Sequence, residues 1–222
     1  MIDENISIDS AILDIIKVHE YGLELWSKCD GWAPEETVYN MENCNLDSLV
    51  SFSRHLPKQL ERIDGDDCNA VDLLLVWTVL GGLVAGSLRW FLCVYNDDYM
   101  EEPYVDYGRA VEPERLPLYN LIKFYKDSCC DVNNKKFNNQ VIGYLNFVKM
   151  QRNKLHFFSS DYHSVGSSEV WKQAVFCYRL FILMLNNRVP YPDEHPDCPI
   201  NKIIDLDKEL TTHVNKMVSL YT

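Results

Sequence analysis

The chain has 222 residues, 47% of them hydrophobic, and a net charge of −12, so it is long enough to bury a sizeable core. Its five Trp, nine Phe and thirteen Tyr exclude a disordered chain, and its acidity disfavours general affinity for nucleic acids. The N-terminal sequence has no basic region followed by an apolar one, so we expect no signal peptide and a cytoplasmic protein. Eight cysteines without a C-x-x-C pairing predict free thiols in a reducing compartment.

The first segment of the chain predicts one helix followed by a loop. Asp9 or Ser10 is expected to cap a helix that runs to about Cys29, because polar caps precede a run of apolar residues at helical spacing. The segment 31–45, which contains Pro34, is predicted to be a loop.

The next two segments predict a broken helix and a buried one. A helix is expected over 46–63, where Pro57 predicts a kink or a break. The segment 69–95 is apolar on nearly all sides, which predicts a long central helix inside the core. Its uncharged run, 73–88, is shorter than the roughly 20 residues that a membrane span needs. Three glycines each cost this helix about 1 kcal/mol relative to Ala, and we expect them to allow close approach of another helix: Gly81, Gly82 and Gly86.

The second half of the chain predicts further helices after a long connection. The acidic segment 96–117 contains three prolines and is expected to be a long connection, and it is the best candidate for a mobile or lid-like segment. Helices are predicted over 118–128, over 138–152, from a cap at Ser167 to Pro190, and over 201–221. No segment alternates well enough to predict a strand. The expected fold is a single all-α domain, residues 1–222, built as a bundle of six or seven helices.

Positive charge is concentrated in one segment. Residues 118–160 carry seven Lys and Arg against two Asp, a charge of +5, whereas 1–117 carry −15 and 161–222 carry −2. A basic segment in an acidic protein suits an anionic ligand, although a simple solvated surface is the alternative interpretation. The lysines that we consider candidates for contact with RNA are Lys135, Lys136, Lys149 and Lys154.

An arginine and a histidine follow the apolar positions of the helix in this basic segment. Val141, Leu145 and Val148 recur at helical spacing, which places Arg152 next on the same face and His156 one turn beyond. A cation and an imidazole on a core-facing surface are costly unless they are paired, hydrated or used. The alternative is that both residues cap the helix C-terminus, where cations favour the helix dipole.

The sequence Gln151-Arg152-Asn153-Lys154-Leu155-His156-Phe157-Phe158 resembles the HEPN superfamily (higher eukaryotes and prokaryotes nucleotide-binding). These helical domains have an arginine, commonly followed by Asn or another polar residue, and then a histidine. The resemblance covers about residues 138–188 of the motif-bearing region 118–188. It implies a metal-independent endoribonuclease built from two protomers, with Arg152, Asn153 and His156 in the catalytic motif. It also implies a defence or toxin–antitoxin setting with an antitoxin protein as partner.

The chemistry of these side chains fits that activity. Metal-free RNA cleavage needs a base for the 2′-hydroxyl, an acid for the leaving 5′-oxygen and a cation for the developing charge. Imidazole can perform either proton transfer, and guanidinium can grip phosphate through two parallel hydrogen bonds. One Arg and one His are too few for all three roles, so we expect a homodimer that combines two copies. No cofactor and no membrane association are predicted.

A non-catalytic interaction module that keeps the fold is the alternative function. Only three residues separate Arg152 from His156, where the family usually has four to six. The net charge of −12 disfavours binding to nucleic acids, so both observations favour this alternative. Two groups of metal-ligand residue types, Cys129-Cys130 and 193–198, are interpreted as an incidental pair and an exposed turn. We therefore predict no metal site.

Overall fold

Nearly all regular structure in the chain is α-helical, which confirms the expected fold class. The computed structural model describes residues 6–129, 135–155, 165–190 and 206–221. Within these residues lie ten α-helices: α1 (Ile8–Trp26), α2 (Glu35–Asn43), α3 (Leu46–Ser53), α4 (Leu56–Asp64), α5 (Ala70–Val94), α6 (Asn96–Glu101), α7 (Leu118–Cys129), α8 (Lys135–Asn153), α9 (Ser168–Asn186) and α10 (Leu206–Tyr221). The number exceeds six or seven because one predicted helix is split and short helices occupy two predicted connections.

The N-terminal region differs from the sequence expectation in two places. Ser7, rather than Asp9 or Ser10, caps α1, and its hydroxyl accepts a hydrogen bond from the amide of Ser10 at 3.2 Å. The segment 31–45, predicted to be a loop, contains α2, which starts directly after Pro34. Proline is compatible with a helix that follows it, because its fixed φ suits a helix start and its missing N–H has no partner there.

The break expected near Pro57 is confirmed. α3 ends at Ser53 and α4 begins at Leu56, which places Pro57 in the first turn of α4, where no intrahelical amide bond is lost. α4 then ends at Asp64, just before Gly65.

α5 is the long buried helix that the sequence predicts. Asn69 caps it with a capping box, in which its side chain and that of Asp72 each accept from the other's backbone amide. Trp77, Leu80 and Val84 are fully buried, and α5 packs against α2, α3, α7, α8 and α9. By length and composition it is also apolar enough to cross a membrane, but more than half of its most apolar window is buried inside the protein.

Two of the three glycines in α5 allow a close helix contact. A Cβ at Gly81 would lie 2.6 Å from Cδ of Arg152, and one at Gly86 would lie 2.9 Å from Cδ1 of Leu49. Among the residues that the structure describes, no heavy atom would lie within 4 Å of a Cβ at Gly82, so no described helix uses this glycine for a close approach. The backbone of α5 is therefore approached closely by α8 at one glycine and by α3 at another.

The connection 96–117 contains more regular structure than the sequence pattern predicts. Besides α6 it holds an antiparallel two-stranded ribbon and a 3-10 helix: β1 (Val105–Asp106), β2 (Arg109–Ala110) and Pro113–Arg115. Strands of two residues are too short to show alternation in a sequence. The ribbon is anchored by buried Tyr99, whose hydroxyl donates to the carbonyl of Val111 at 2.5 Å and accepts from the amide of Tyr104 at 3.2 Å.

α9 lies between α1 and α10 and joins them through a buried arginine. As predicted, Ser167 caps this helix by accepting from the amide of Val170. Nε of Arg179 lies 2.7 Å from a carboxylate oxygen of Asp14 in α1, and Nη1 lies 3.8 Å from Glu209 in α10. The side chain of Arg179 is only 5% exposed, so three helices meet at one buried cation.

A buried polar network links α1, α5 and α9. The hydroxyl of Tyr178 lies 2.7 Å from Oγ of Ser87 and 3.1 Å from Nε2 of His19, and it donates to the carbonyl of Leu83 at 3.2 Å. Burial lowers the pKa of His19 to about 3, so its imidazole is neutral in the folded chain.

The stability of the fold is expected to fall as the pH drops from about 6.5 to 5, because two histidines stay neutral when folded. Burial lowers the pKa of His19 to about 3, and burial, followed by the charges of Lys216 and Arg179, lowers that of His213 to about 4. The unfolded chain takes up protons near pH 6.5, so each histidine removes up to about 1.4 kcal/mol per pH unit below that value. Urea unfolding across this range measures the slope. The double variant His19→Gln and His213→Gln should have a flatter slope. An unchanged slope would show that other titrating side chains cause the pH dependence of stability.

Candidate functional site

The Arg/His motif begins in the last turn of α8 and continues beyond it. The apolar residues that predict the inward face of this helix are all buried: Val141, Leu145 and Val148. Arg152 follows on the same face and is half-buried, whereas Asn153 is exposed. His156 lies outside the described residues.

The side chain of Arg152 lies directly on the backbone of α5. A Cβ at Gly81 would meet its Cδ at 2.6 Å, its Cβ at 2.9 Å and its Cγ at 3.0 Å. In the described part of the chain, no hydrogen bond or ion pair holds the guanidinium, which does not favour the helix-capping interpretation of this residue. A half-buried cation without a structural partner is available to an anion.

A second arginine, Arg89, lies in α5, the helix that the stem of Arg152 contacts at Gly81. Its Nη2 donates to the carbonyl of Leu116 at 3.0 Å, while its Nε is buried without a hydrogen-bond partner. Burial, and next the positive charge of Arg152, lower the pKa of Arg89. Arg89 is not among the site residues predicted from the sequence, although it is the one basic residue of the mostly apolar segment 70–94, and this is a signal that points to it.

Three of the four candidate lysines reach the surface at different places. Lys135 and Lys136 are exposed at the start of α8. Lys149 donates to the side-chain oxygen of Asn146 at 2.9 Å, and its ammonium lies 5.0 Å from the ring centre of Tyr119. At 1.5 Å per residue, the first two lysines are about 25 Å from Arg152 along the helix axis. The candidate lysines of α8 are therefore spread along the helix and do not form one cluster.

Lys154, the fourth candidate, does not fit a contact with RNA. It is only 5% exposed. Its ammonium donates to the hydroxyl of Tyr221 at 2.8 Å and lies 5.3 Å from the centre of that ring. Lys154 was predicted to contact RNA, but α10 covers it, and its bond to Tyr221 attaches α10 to the end of α8.

Gln151, the first residue of the motif, has a structural role that the sequence does not predict. It is fully buried, and its side-chain oxygen accepts from the amide of Gly166 at 3.1 Å. The indole of Trp77 donates to the carbonyl of Gly166 at 3.0 Å. Together these bonds fix Gly166 beside the end of α8, so the chain on both sides of the segment 156–164 is held to the core.

The described residues offer no evident metal site. No group of three His, Cys, Asp or Glu side chains among them is placed to hold a metal ion. The segment 193–198 and the side chains of Cys129-Cys130 lie outside the described set. The described cysteines are all free thiols: Cys29, Cys44, Cys68, Cys93 and Cys177.

Comparison with known proteins gives no family assignment. No protein-family model matches the chain, and no curated protein or solved structure is significantly similar to it. The resemblance to the HEPN superfamily therefore stays a prediction from the motif, and function has to be argued from the side chains themselves.

Proposed function

We propose that this chain is a metal-independent endoribonuclease of the HEPN type, centred on Arg152 and His156. The observation that carries the proposal is the environment of Arg152. Its stem lies on Gly81, and its half-buried guanidinium has no carboxylate partner among the described residues. Partial burial of an unpaired charge costs free energy that a structural ion pair would offset. A bound phosphate would offset the same cost.

The proposed reaction is transfer of a phosphodiester to the neighbouring ribose hydroxyl. The 2′-oxygen attacks phosphorus, the bond to the 5′-oxygen breaks, and a 2′,3′-cyclic phosphate forms. His156 takes the proton of the 2′-hydroxyl or gives one to the 5′-oxygen, and Arg152 neutralises the charge on the phosphorane. Exposed Asn153 hydrogen-bonds to the substrate. A second copy of the chain supplies the other proton-transfer group, so the active form is a homodimer.

The same proposal includes the cellular setting. The enzyme acts in the cytoplasm as a toxin or defence protein, and an antitoxin protein restrains it. Exposed Lys135 and Lys136 bind the phosphate backbone of RNA at the far end of α8.

A non-catalytic interaction module is the second candidate function, and the environment of Lys154 favours it. This lysine is buried against Tyr221 and attaches α10 to α8. One of the seven basic residues of the segment 118–160 is thus structural, which reduces the charge that the chain offers to RNA.

Cleavage of labelled RNA in EDTA by His156→Ala and Arg152→Lys tests the proposal. Positioned proton transfer contributes about 10²–10⁴-fold, so we expect His156→Ala to lose at least about 10²-fold of the cleavage rate. Arg152→Lys keeps the charge but loses the two-pronged grip on phosphate, and we expect it to lose at least about tenfold. The wild-type products should carry a 2′,3′-cyclic phosphate.

Arg115→Lys, a change of the same type at an exposed arginine, is the matched control and should cleave like wild type. Circular dichroism of each variant checks folding. Wild-type rates in both motif variants, or no cleavage by the wild-type homodimer, would exclude this nuclease and favour the interaction module.

A further inference from the structure

We propose that Arg89 and Arg152 together form a binding site for one phosphate group, with α5 supplying one guanidinium and α8 the other. The identity of the ligand as a phosphodiester of RNA rests on the proposed function. The site itself rests on the placement of the two side chains, and nothing in the HEPN-like motif specifies Arg89.

The contact between α5 and α8 places Arg152 on the row of α5 that carries Arg89. Gly81, Ala85 and Arg89 follow one row at i, i+4 and i+8, which places Arg89 about 12 Å along the axis from Gly81. The stem of Arg152 lies on Gly81. Because Cα–Cβ bonds in a helix tilt toward its N-terminus, the Arg89 side chain starts in the direction of Gly81. Ala85 between them adds only a methyl group to this row.

The positive charges of Arg89 and Arg152 have no carboxylate partner among the described residues, whereas four other described arginines do: Arg54, Arg62, Arg115 and Arg179. Burial, and next the positive charge of Arg152, lower the pKa of Arg89. Two positive charges in a partly buried place repel each other. An anion bound between them would attract both and offset that repulsion.

The fold uses only a small part of the hydrogen-bonding capacity of Arg89. One bond, from Nη2 to the carbonyl of Leu116, connects it to the chain before α7, and the buried Nε has no partner. A guanidinium carries five N–H donors. Phosphate is the ligand class that matches this pair, because its oxygens accept parallel bonds from two forks and its charge offsets both cations.

Binding of an uncleavable 2′-O-methyl RNA oligonucleotide, followed by fluorescence anisotropy at several salt concentrations, tests the site. We expect Arg89→Gln and Arg152→Gln each to weaken binding at least about tenfold, and each to reduce the salt slope by about 0.7 for a single strand. Arg109→Gln removes the same charge from an exposed strand of the ribbon and should change affinity by less than about twofold. Gly81→Ala keeps both arginines but displaces the stem of Arg152, and it should weaken binding as well.

Inorganic phosphate supplies a second readout that does not require a folded Arg89 variant. We expect it to raise the Tm of the wild-type chain above that in chloride of equal ionic strength, and to do so less in Gly81→Ala. If Arg89→Gln binds RNA like Arg109→Gln, or if phosphate does not stabilise the wild-type chain, the site does not exist.

The two proposals can fail separately. If both arginines are required for binding but the wild type does not cleave RNA in EDTA, the phosphate site stands and the nuclease proposal fails. If the wild type cleaves RNA and Arg89→Gln binds and cleaves equally well, the nuclease proposal stands and the two-arginine site is overturned.

Discussion

Replacing Arg179 with Met is expected to lower the free energy of unfolding by about 3 kcal/mol or more, because removing one partner of a buried ion pair leaves the other charge unpaired. Asp14 is 2.7 Å from Nε of Arg179 and only 19% exposed, so water can hydrate it only in part after the change. Glu209, at 3.8 Å from Nη1, also loses its cation. Urea unfolding at neutral pH measures the loss.

Arg54→Met is the matched control, since Arg54 also pairs with a carboxylate of α1, that of Glu20, at 2.7 Å. The side chains of this second pair are 62% and 40% exposed, and exposed pairs contribute about 0–1 kcal/mol. If the two variants lose similar amounts of stability, burial does not account for the contribution of the Arg179 pair to the free energy of unfolding.

Truncating Trp77 to Ala should cost about 3–5 kcal/mol, the usual range for removing a large aromatic side chain from a core. The indole is fully buried, packs edge-on against Phe147 at 5.6 Å between ring centres, and donates to the carbonyl of Gly166. Chemical denaturation measures the loss of stability. A loss below about 1 kcal/mol would show that packing of Trp77 in the core contributes little to stability.

Trp77→Phe separates the contribution of volume from that of the hydrogen bond. Phe keeps most of the apolar contact but leaves the carbonyl of Gly166 without its donor, for which we expect about 1–3 kcal/mol. Because Gly166 is fixed beside the end of α8, this variant should also reduce RNA cleavage more than Arg179→Met does, although Arg179→Met is expected to lose at least as much stability.

The parts of the fold that the sequence predicts are those with long, periodic patterns. α5 and the buried face of α8 are apolar over several turns, and Pro57 places the break between α3 and α4 because proline removes a backbone donor. α2, α6 and the ribbon are short, so their residues do not complete enough turns or alternations to show a pattern. Contacts with the rest of the chain, such as those of Tyr99, stabilise such elements.

The candidate site could be predicted only in part, for the same physical reason. The sequence identifies Arg152, because its position on the buried face of one helix is a local property. Arg89 is 63 residues away in the sequence, and its approach to Arg152 depends on how α5 and α8 pack. The burial of Lys154 likewise depends on α10, which comes more than fifty residues later. Charge counted along a chain does not distinguish an exposed cation from a covered one.

The contact between Gly81 and Arg152 has a consequence for the evolution of this protein. A carbon added at position 81 would lie 2.6 Å from Cδ and 2.9 Å from Cβ of Arg152, so either the arginine stem or the end of α8 has to shift. Because the Cβ at position 152 takes part in this contact, replacing the arginine with a shorter residue would remove only part of the clash. A lineage that gained a side chain at position 81 would therefore have to move α8 away from α5, whereas a lineage that kept the glycine could vary position 152 more freely.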